Sequence, residues 1–180
     1  MRIVAGERKG MRLDTPAGRG TRPTSDRLRE SLFSILGDVS GLRVLDPFAG
    51  SGALGLEALS RGAARADFCE TAAPALRALR ANVERLGYSD RAVVRRQDAR
   101  RRLAADARAG TAYELIMLDP PYRMLTALQE DFSLHLPHLL VPGGIAVIES
   151  PTSQQPLELP LRLDTSRVQG GSRLTVYLHD

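Results

Sequence analysis

From Gly41 onward the chain alternates short apolar runs with stretches of helical periodicity, and that alternation leaves few folds open. Arg43-Val44-Leu45-Asp46, Ala66–Glu70, Ala92–Arg95, Glu114–Leu118 and Gly144–Ile148 read as strands. Helices are expected from a glycine-rich turn to about Arg61, and over Ala72–Leu86, Ala99–Ala107 and Leu125–Leu139. Leu115-Ile116-Met117-Leu118 is apolar throughout, as a central parallel strand covered on both faces must be. Strands separated by helices form a parallel sheet with right-handed crossovers and helices on both faces. Two further strands, near 161–168 and 173–178, flank Gly170-Gly171-Ser172 and read as a β-hairpin. The expected fold is a Rossmann-like α/β domain. It has a mostly parallel seven-stranded sheet, an antiparallel strand at its edge, and a small N-terminal hairpin extension.

That extension is where composition matters. Residues 1–30 hold eight basic and four acidic side chains, while the remaining 150 residues hold 17 of each. The entire net charge of +4 therefore sits in the first thirty residues. A local basic excess attracts phosphates, and Arg pairs with them bidentately. Ile3-Val4-Ala5 and Met11-Arg12-Leu13 read as short strands around Gly6 and Gly10. A helix follows to Leu36, capped by Thr24 or Ser25 and stopped by Gly37. The expected division is residues 1–38 as a basic extension and 39–180 as the α/β domain. No apolar run approaches the roughly 20 residues of a membrane span, and the charged start does not read as a signal peptide. A single cysteine, Cys69, leaves no intrachain disulfide and no cysteine cluster for a metal. The expectation is a cytoplasmic monomer.

The first parallel strand runs into Asp46-Pro47-Phe48-Ala49-Gly50-Ser51-Gly52-Ala53-Leu54-Gly55. Ligands of open α/β sheets bind beyond the carboxyl ends of strands, so the turn is well placed. Gly50 and Gly52 permit positive φ and close approach of a ligand to the backbone. The same glycines satisfy the dinucleotide fingerprint, which leaves a nicotinamide or flavin oxidoreductase open as a rival. Glu70, at the end of the second strand, could take ribose hydroxyls of either ligand class. Asp46 favours a ligand carrying an amino group over a pyrophosphate. Asp98-Ala99 follows the third strand. There Asp98 could accept from an adenine amine and the Ala99 amide could donate to the ring, or Asp98 could simply cap a helix.

Asp119-Pro120-Pro121-Tyr122 follows the fourth strand, at the same edge of the sheet. Two prolines fix φ and remove two backbone donors, so carbonyls are presented without competing N–H groups. The Asp119 carboxylate and the Pro120 carbonyl can then accept from one amino group. That suits an aromatic amine, whose lone pair is delocalised and must be turned toward an electrophile. Tyr122 offers a ring face for an extruded base, worth about 1–3 kcal/mol. The chemistry expected is methyl transfer to an exocyclic amino nitrogen, with no metal.

Together these two motifs resemble the amino-methyltransferases of the Rossmann-like class. Thr21-Arg22-Pro23-Thr24-Ser25-Asp26-Arg27-Leu28-Arg29-Glu30-Ser31-Leu32-Phe33 and the block from Gly50 to Gly62 narrow the resemblance to the RsmD-type family. Members of that family methylate N2 of one guanine in bacterial 16S ribosomal RNA. The resemblance runs from about Arg2 to Leu178. It implies S-adenosyl-L-methionine as cofactor, lined by Asp46, Ala49, Gly50 and Gly52, with Glu70 on the ribose and Asp98-Ala99 on the adenine. It implies Asp119, Pro120, Pro121 and Tyr122 as the catalytic loop around the guanine. It also implies an RNA-gripping N-terminal segment, with Arg2, Lys9, Arg12, Arg22 and Arg27 as candidates. Thr71-Ala72-Ala73 departs from the family, which often carries a charge in that stretch. The partner implied is 16S ribosomal RNA, in the assembling small subunit.

N6-adenine methylation of DNA or RNA shares the Asp-Pro-Pro-Tyr logic and remains the alternative; enzymes acting on DNA usually carry an added recognition domain for which 180 residues leave no room. A non-catalytic RNA-binding protein is a further alternative, opposed by the intact acceptor loop. His135 and His138 are three apart on a helix but lack supporting ligands, so surface histidines are expected. Arg95, Arg96, Arg100, Arg101 and Arg102 are expected on a solvated face. Cys69 reads as a small core residue. Glu149 ends the fifth strand and receives no role.

Overall fold

The computed structural model describes residues 1–16 and 25–180. Helix α1 is Asp26–Leu36, followed by β1 Arg43–Asp46, α2 Ala53–Ser60, β2 Arg65–Cys69 and α3 Ala73–Leu86. Then come β3 Ala92–Arg95, α4 Ala99–Arg108, β4 Tyr113–Leu118, α5 Leu125–Leu139, β5 Leu140–Pro151, β6 Arg162–Gln169 and β7 Ser172–Leu178. The seven strands form one sheet in the order β3-β2-β1-β4-β5-β7-β6. Pairing is parallel from β3 through β5. It becomes antiparallel between β5 and β7 and between β7 and β6. The expected seven-stranded fold is therefore present, with β6 outermost and the antiparallel β7 tucked between it and β5.

Alternation along the strands separates two cores. Val44, Leu115, Met117 and Val147 face α1, α2 and α3. Leu45, Ile116, Leu118, Ala146 and Ile148 face α4 and α5. Strand β5 is longer than Gly144–Ile148 because α5 runs straight into it: Leu140 already pairs with Tyr113. The register then shifts before Leu115 meets Ile145, which absorbs Pro142-Gly143-Gly144.

The N-terminal hairpin has a single bridge, Arg2 to Arg12, flanked by backbone hydrogen bonds between Ile3 and Met11 and from Leu13 to Met1. Ile3 and Leu13 are buried in the first core with Leu28, Leu32 and Phe33. Ser25 is the cap of α1, its Oγ accepting from the Leu28 amide at 3.2 Å. The chain turns at Gly6 against the end of α2, so closely that a Cβ there would lie 1.8 Å from the Ser60 carbonyl oxygen. The Glu7 amide then satisfies that carbonyl at 2.8 Å.

Two charged residues hold this junction, and sequence did not signal either. Glu57 on α2 is fully buried and accepts from the amides of Val4 and Ala5 at 2.8 and 2.9 Å and from Arg61 Nε at 2.9 Å. Arg29 is also fully buried, donating to the Arg2 carbonyl and to Asp26. It belongs to the core and is withdrawn from the basic excess counted for the surface. The expected solvated arginine run is corrected likewise at Arg102. That side chain is buried, 2.6 Å from Asp106 and 3.0 Å from the Tyr113 hydroxyl, in a network that includes Asp67. Its i,i+4 spacing to Asp106 is the signal that could have revealed it.

Glu57→Ala removes a buried acceptor for two amides and leaves Arg29 beside an uncompensated gap. It should lower the unfolding free energy by about 3 kcal/mol or more in urea denaturation. A loss below about 1 kcal/mol, the range of exposed pairs, would contradict the anchoring role.

Candidate active site

Because β3, β2, β1, β4 and β5 run parallel and adjacent, their carboxyl ends share one edge. Along it stand Asp98 after β3, Glu70 after β2, Asp46 at the end of β1 and Asp119 after β4. The sheet thus brings together all the expected cofactor and catalytic positions. They include the half-buried Asp119, the buried Pro120 and the exposed Pro121.

The glycine turn is built by three different constraints. Gly50 has φ +55° and open space where a Cβ would point. Gly52 has φ +89°, and a Cβ would lie 2.4 Å from Leu79. At Gly55 a Cβ would lie 2.2 Å from the Phe68 ring, so this glycine lets α2 pack on β2. Of the three, Gly50 alone has open space where a side chain would stand. The loop is fixed by Ala49 N to the Cys69 carbonyl at 3.0 Å and by Asn82 Nδ2 to the Ser51 carbonyl at 2.9 Å. Asn82 is fully buried on α3 and exchanges hydrogen bonds with the Asp14 backbone, tying the N-terminal segment to the same turn. A polar residue within the apolar stripe of Leu79, Val83 and Leu86 was its only trace in sequence.

Asp46 is 1% exposed. Its Oδ2 accepts from the Gly55 amide at 3.1 Å, while Oδ1 is buried without a hydrogen-bond partner. Burial pushes its carboxyl up to about 7, with the Glu70 charge adding to the rise and the Gly55 and Phe48 amides opposing it. A buried acceptor of this kind is matched by a cationic donor. Glu70 holds the loop: Oε2 accepts from Gly50 N at 2.9 Å, and Oε1 from Thr71 and Ala72 N at 2.7 Å each. A carboxylate oxygen accepts more than once, so Oε2 can still receive a hydroxyl. Asp98 is the cap of α4, accepting from Arg101 N at 3.2 Å, with Ala99 buried beside it. The residues present fit S-adenosyl-L-methionine: an orphaned buried carboxylate for its amino group, an open glycine backbone, and acceptors toward its ribose and adenine.

Tyr122 begins a short 3-10 turn over Tyr122–Met124. Its hydroxyl lies 3.3 Å from Glu149 Oε1 and 3.0 Å from Ser172 Oγ, which itself donates to Glu149 Oε1 at 2.7 Å. Glu149 therefore holds the loop from Asp119 to Tyr122 through the Tyr122 hydroxyl, although sequence assigned it no role. Burial, with the charges of Glu149 and Asp119, raises the Tyr122 hydroxyl above its ordinary value. Arg2, Lys9, Arg12 and Arg27 are exposed, with Arg2 paired to Asp26 at 3.0 Å. Arg22 lies outside the described residues. Cys69 is a buried core residue whose thiol burial pushes up to about 12. His135 and His138 sit on α5 beside Ala104 and Arg108, and no metal-binding group occurs among the described residues. No helix among the described residues is long and apolar enough to cross a membrane.

Sheet order and the row of carboxylates define the class: the fold is that of Rossmann-like, S-adenosylmethionine-dependent methyltransferases. Within that class the chain belongs to the family described as conserved hypothetical protein 95, matched over residues 1–178, which is the expected RsmD-type family. It is 44% identical over 124 residues to "Putative rRNA methyltransferase YlbH" of Bacillus subtilis, covering 68% of this chain and 67% of the relative. It is 40% identical to ribosomal RNA small subunit methyltransferase D of Escherichia coli, again over 124 residues, 68% of this chain and 61% of that one. The solved structure of "Putative methyltransferase yhhF" from Escherichia coli superposes with a TM-score of 0.86 at 32% identity, covering 100% of this chain and 98% of the other.

Paired with the cofactor's amino group, Asp46 would make cofactor affinity pH-dependent. Its pKa is raised in the folded protein, and a cationic amino group favours the ionised form, so binding releases a proton near neutrality. Calorimetric affinity for S-adenosyl-L-homocysteine should fall as pH drops from 8 to 6, and Asp46→Asn should flatten the dependence. Free of ligand, the sign is opposite: the stability this group contributes is full below the unfolded value near 4 and is lost as pH rises through 7. An affinity that does not change over this range would contradict the pairing.

Proposed function

We propose that the chain transfers the methyl group of S-adenosyl-L-methionine to the exocyclic N2 of a guanine in small-subunit ribosomal RNA. The observation that carries this reading is the Asp119-Pro120-Pro121-Tyr122 loop, set beside Asp46 and its glycine turn on neighbouring strands. The family's curated relatives supply the RNA, and the resemblance supplies guanine. When bound, the cofactor supplies an electrophilic methyl on a sulfonium. The Asp119 carboxylate and Pro120 carbonyl accept the two amine N–H groups and turn the nitrogen lone pair toward that methyl. A nitrogen–carbon bond forms as the sulfur–carbon bond breaks, and the amine loses a proton to water or to Asp119. Tyr122, half-buried and tethered through its hydroxyl, provides the ring on which the base stacks.

Residues 1–38 are assigned to RNA contact and 39–180 to methyl transfer, in a monomer working in the cytoplasm. Exposed Arg2, Lys9, Arg12 and Arg27 support the first assignment, and Arg22 joins them from sequence alone. The rRNA reading is favoured over the adenine alternative by the names of the relatives.

Incubation with labelled S-adenosyl-L-methionine and small ribosomal subunits lacking the modification should give N2-methylguanosine. Asp119→Ala should reduce transfer by at least about a hundredfold while leaving S-adenosyl-L-homocysteine affinity within a few-fold. Transfer at the normal rate by that variant would sink the role of the loop. Arg12→Ala with Arg27→Ala should weaken RNA binding and flatten its salt dependence by roughly 0.7–0.9 in log–log slope for each arginine–phosphate pair removed. An unchanged slope would remove the N-terminal grip.

A further inference from the structure

Glu149 stands next to the reacting amine's acceptors. Leu118 of β4 and Ile148 of β5 are register partners, and one residue beyond each stand Asp119 and Glu149. Leu115, Met117 and Val147 point into one core, and Ile116, Leu118, Ala146 and Ile148 into the other. Continued by one step, that alternation carries both carboxylates to the first face, where Val44 and then Asp46 also point. Tyr122 marks the same neighbourhood independently, since its hydroxyl feels the charges of both Glu149 and Asp119.

The carboxylate is held in one orientation. Glu149 is 7% exposed, and Ser172, which donates to it, is 2% exposed on β7. Both hydroxyl contacts, from Ser172 at 2.7 Å and Tyr122 at 3.3 Å, fall on Oε1. Oε2 has no hydrogen bond from any described residue. Oε2 is not among the buried unpartnered atoms, so it opens to solvent, where an incoming donor can reach it while Oε1 stays anchored.

We propose that Glu149 is a specificity-determining residue, its Oε2 accepting the N1–H of the target guanine while Asp119 and the Pro120 carbonyl hold the N2 amine. This rests on the reading of the chain as a guanine-N2 methyltransferase. Guanine presents N1–H and its amino group side by side, two adjacent donors. Neighbouring strands lie about 4.8 Å apart, so two in-register carboxylates reach adjacent donors on one base edge. Adenine presents a lone pair at N1 beside its amine. A carboxylate aimed there meets a second acceptor and is left desolvated and unpaired, which rejects the base. The pair of carboxylates thus distinguishes guanine from adenine, which the Asp119 loop alone does not.

The test uses the full chain and small ribosomal subunits reconstituted with RNA carrying either guanosine or 2-aminopurine at the nucleotide identified by mapping. 2-Aminopurine keeps the 2-amino group but lacks N1–H. The wild type should methylate guanosine at least about tenfold faster than 2-aminopurine. Glu149→Gln can donate an amide N–H to the N1 lone pair. It should lower the guanosine rate about tenfold or more and bring the two bases within about threefold of each other. Its S-adenosyl-L-homocysteine affinity should stay unchanged. Ser172→Ala, which removes one anchor and leaves the acceptor, should preserve the wild-type preference for guanosine. Equal loss on both bases in Glu149→Gln, no loss on either, or a wild type indifferent to the two bases would overturn the proposal. If Glu149→Gln fails to fold, the wild-type preference for guanosine and its survival in Ser172→Ala decide instead. Mapping that yields methyladenosine would instead bring down the guanine reading itself.

Discussion

Parallel strand pairing is the constraint on which everything else depends. Five adjacent strands, β3, β2, β1, β4 and β5, cannot be parallel without sending every crossover back to the opposite end. Their carboxyl ends must then share an edge, and each end carries an acidic residue within a residue or a few of it: Asp98, Glu70, Asp46, Asp119 and Glu149. The chain order of these residues is scattered, yet their order in space is a line. In the proposed function, one end of the line faces the adenosine side of the cofactor and the other faces the base.

A row of carboxylates on one edge would repel itself if each were left to solvent alone. The structure disperses the charge by local means. Glu70 is held by three backbone amides and Asp98 by the first turn of α4. Glu149 is held by two hydroxyls. Asp46 is the exception, buried with one oxygen unmatched, and it carries the consequence as a raised pKa. The N-terminal segment is tied to the same edge. Glu57 holds its first turn on α2, and Asn82 bridges Asp14 to the Ser51 carbonyl in the glycine turn. The N-terminal segment is therefore mechanically continuous with the glycine turn.

Much of this was legible before the structure. Short apolar runs located the strands, since burial on both faces demands them. Gly50-Ser51-Gly52 and Asp119-Pro120-Pro121-Tyr122 stand out in sequence because glycine and proline leave backbone constraints that other residues cannot mimic. Buried charges were not legible. Arg29, Glu57 and Arg102 look like surface residues in sequence, because charge is normally solvated and only tertiary contacts show otherwise. Glu149 was missed for the same reason: its partners Tyr122 and Ser172 lie 27 and 23 residues away, on a loop and on a strand paired in antiparallel register. The extension of β5 back to Leu140 was hidden by Pro142-Gly143-Gly144, which reads as a turn but is absorbed by a register shift.

The most direct measurement of the central claim is mass mapping of small-subunit ribosomal RNA from a strain lacking this chain, with and without the chain restored. One guanosine should lose a methyl group on N2 in the deletion and regain it on restoration, but not on restoration with Asp119→Ala. RNA whose guanosines are unchanged by the deletion, or a methyl lost from adenosine instead, would contradict it.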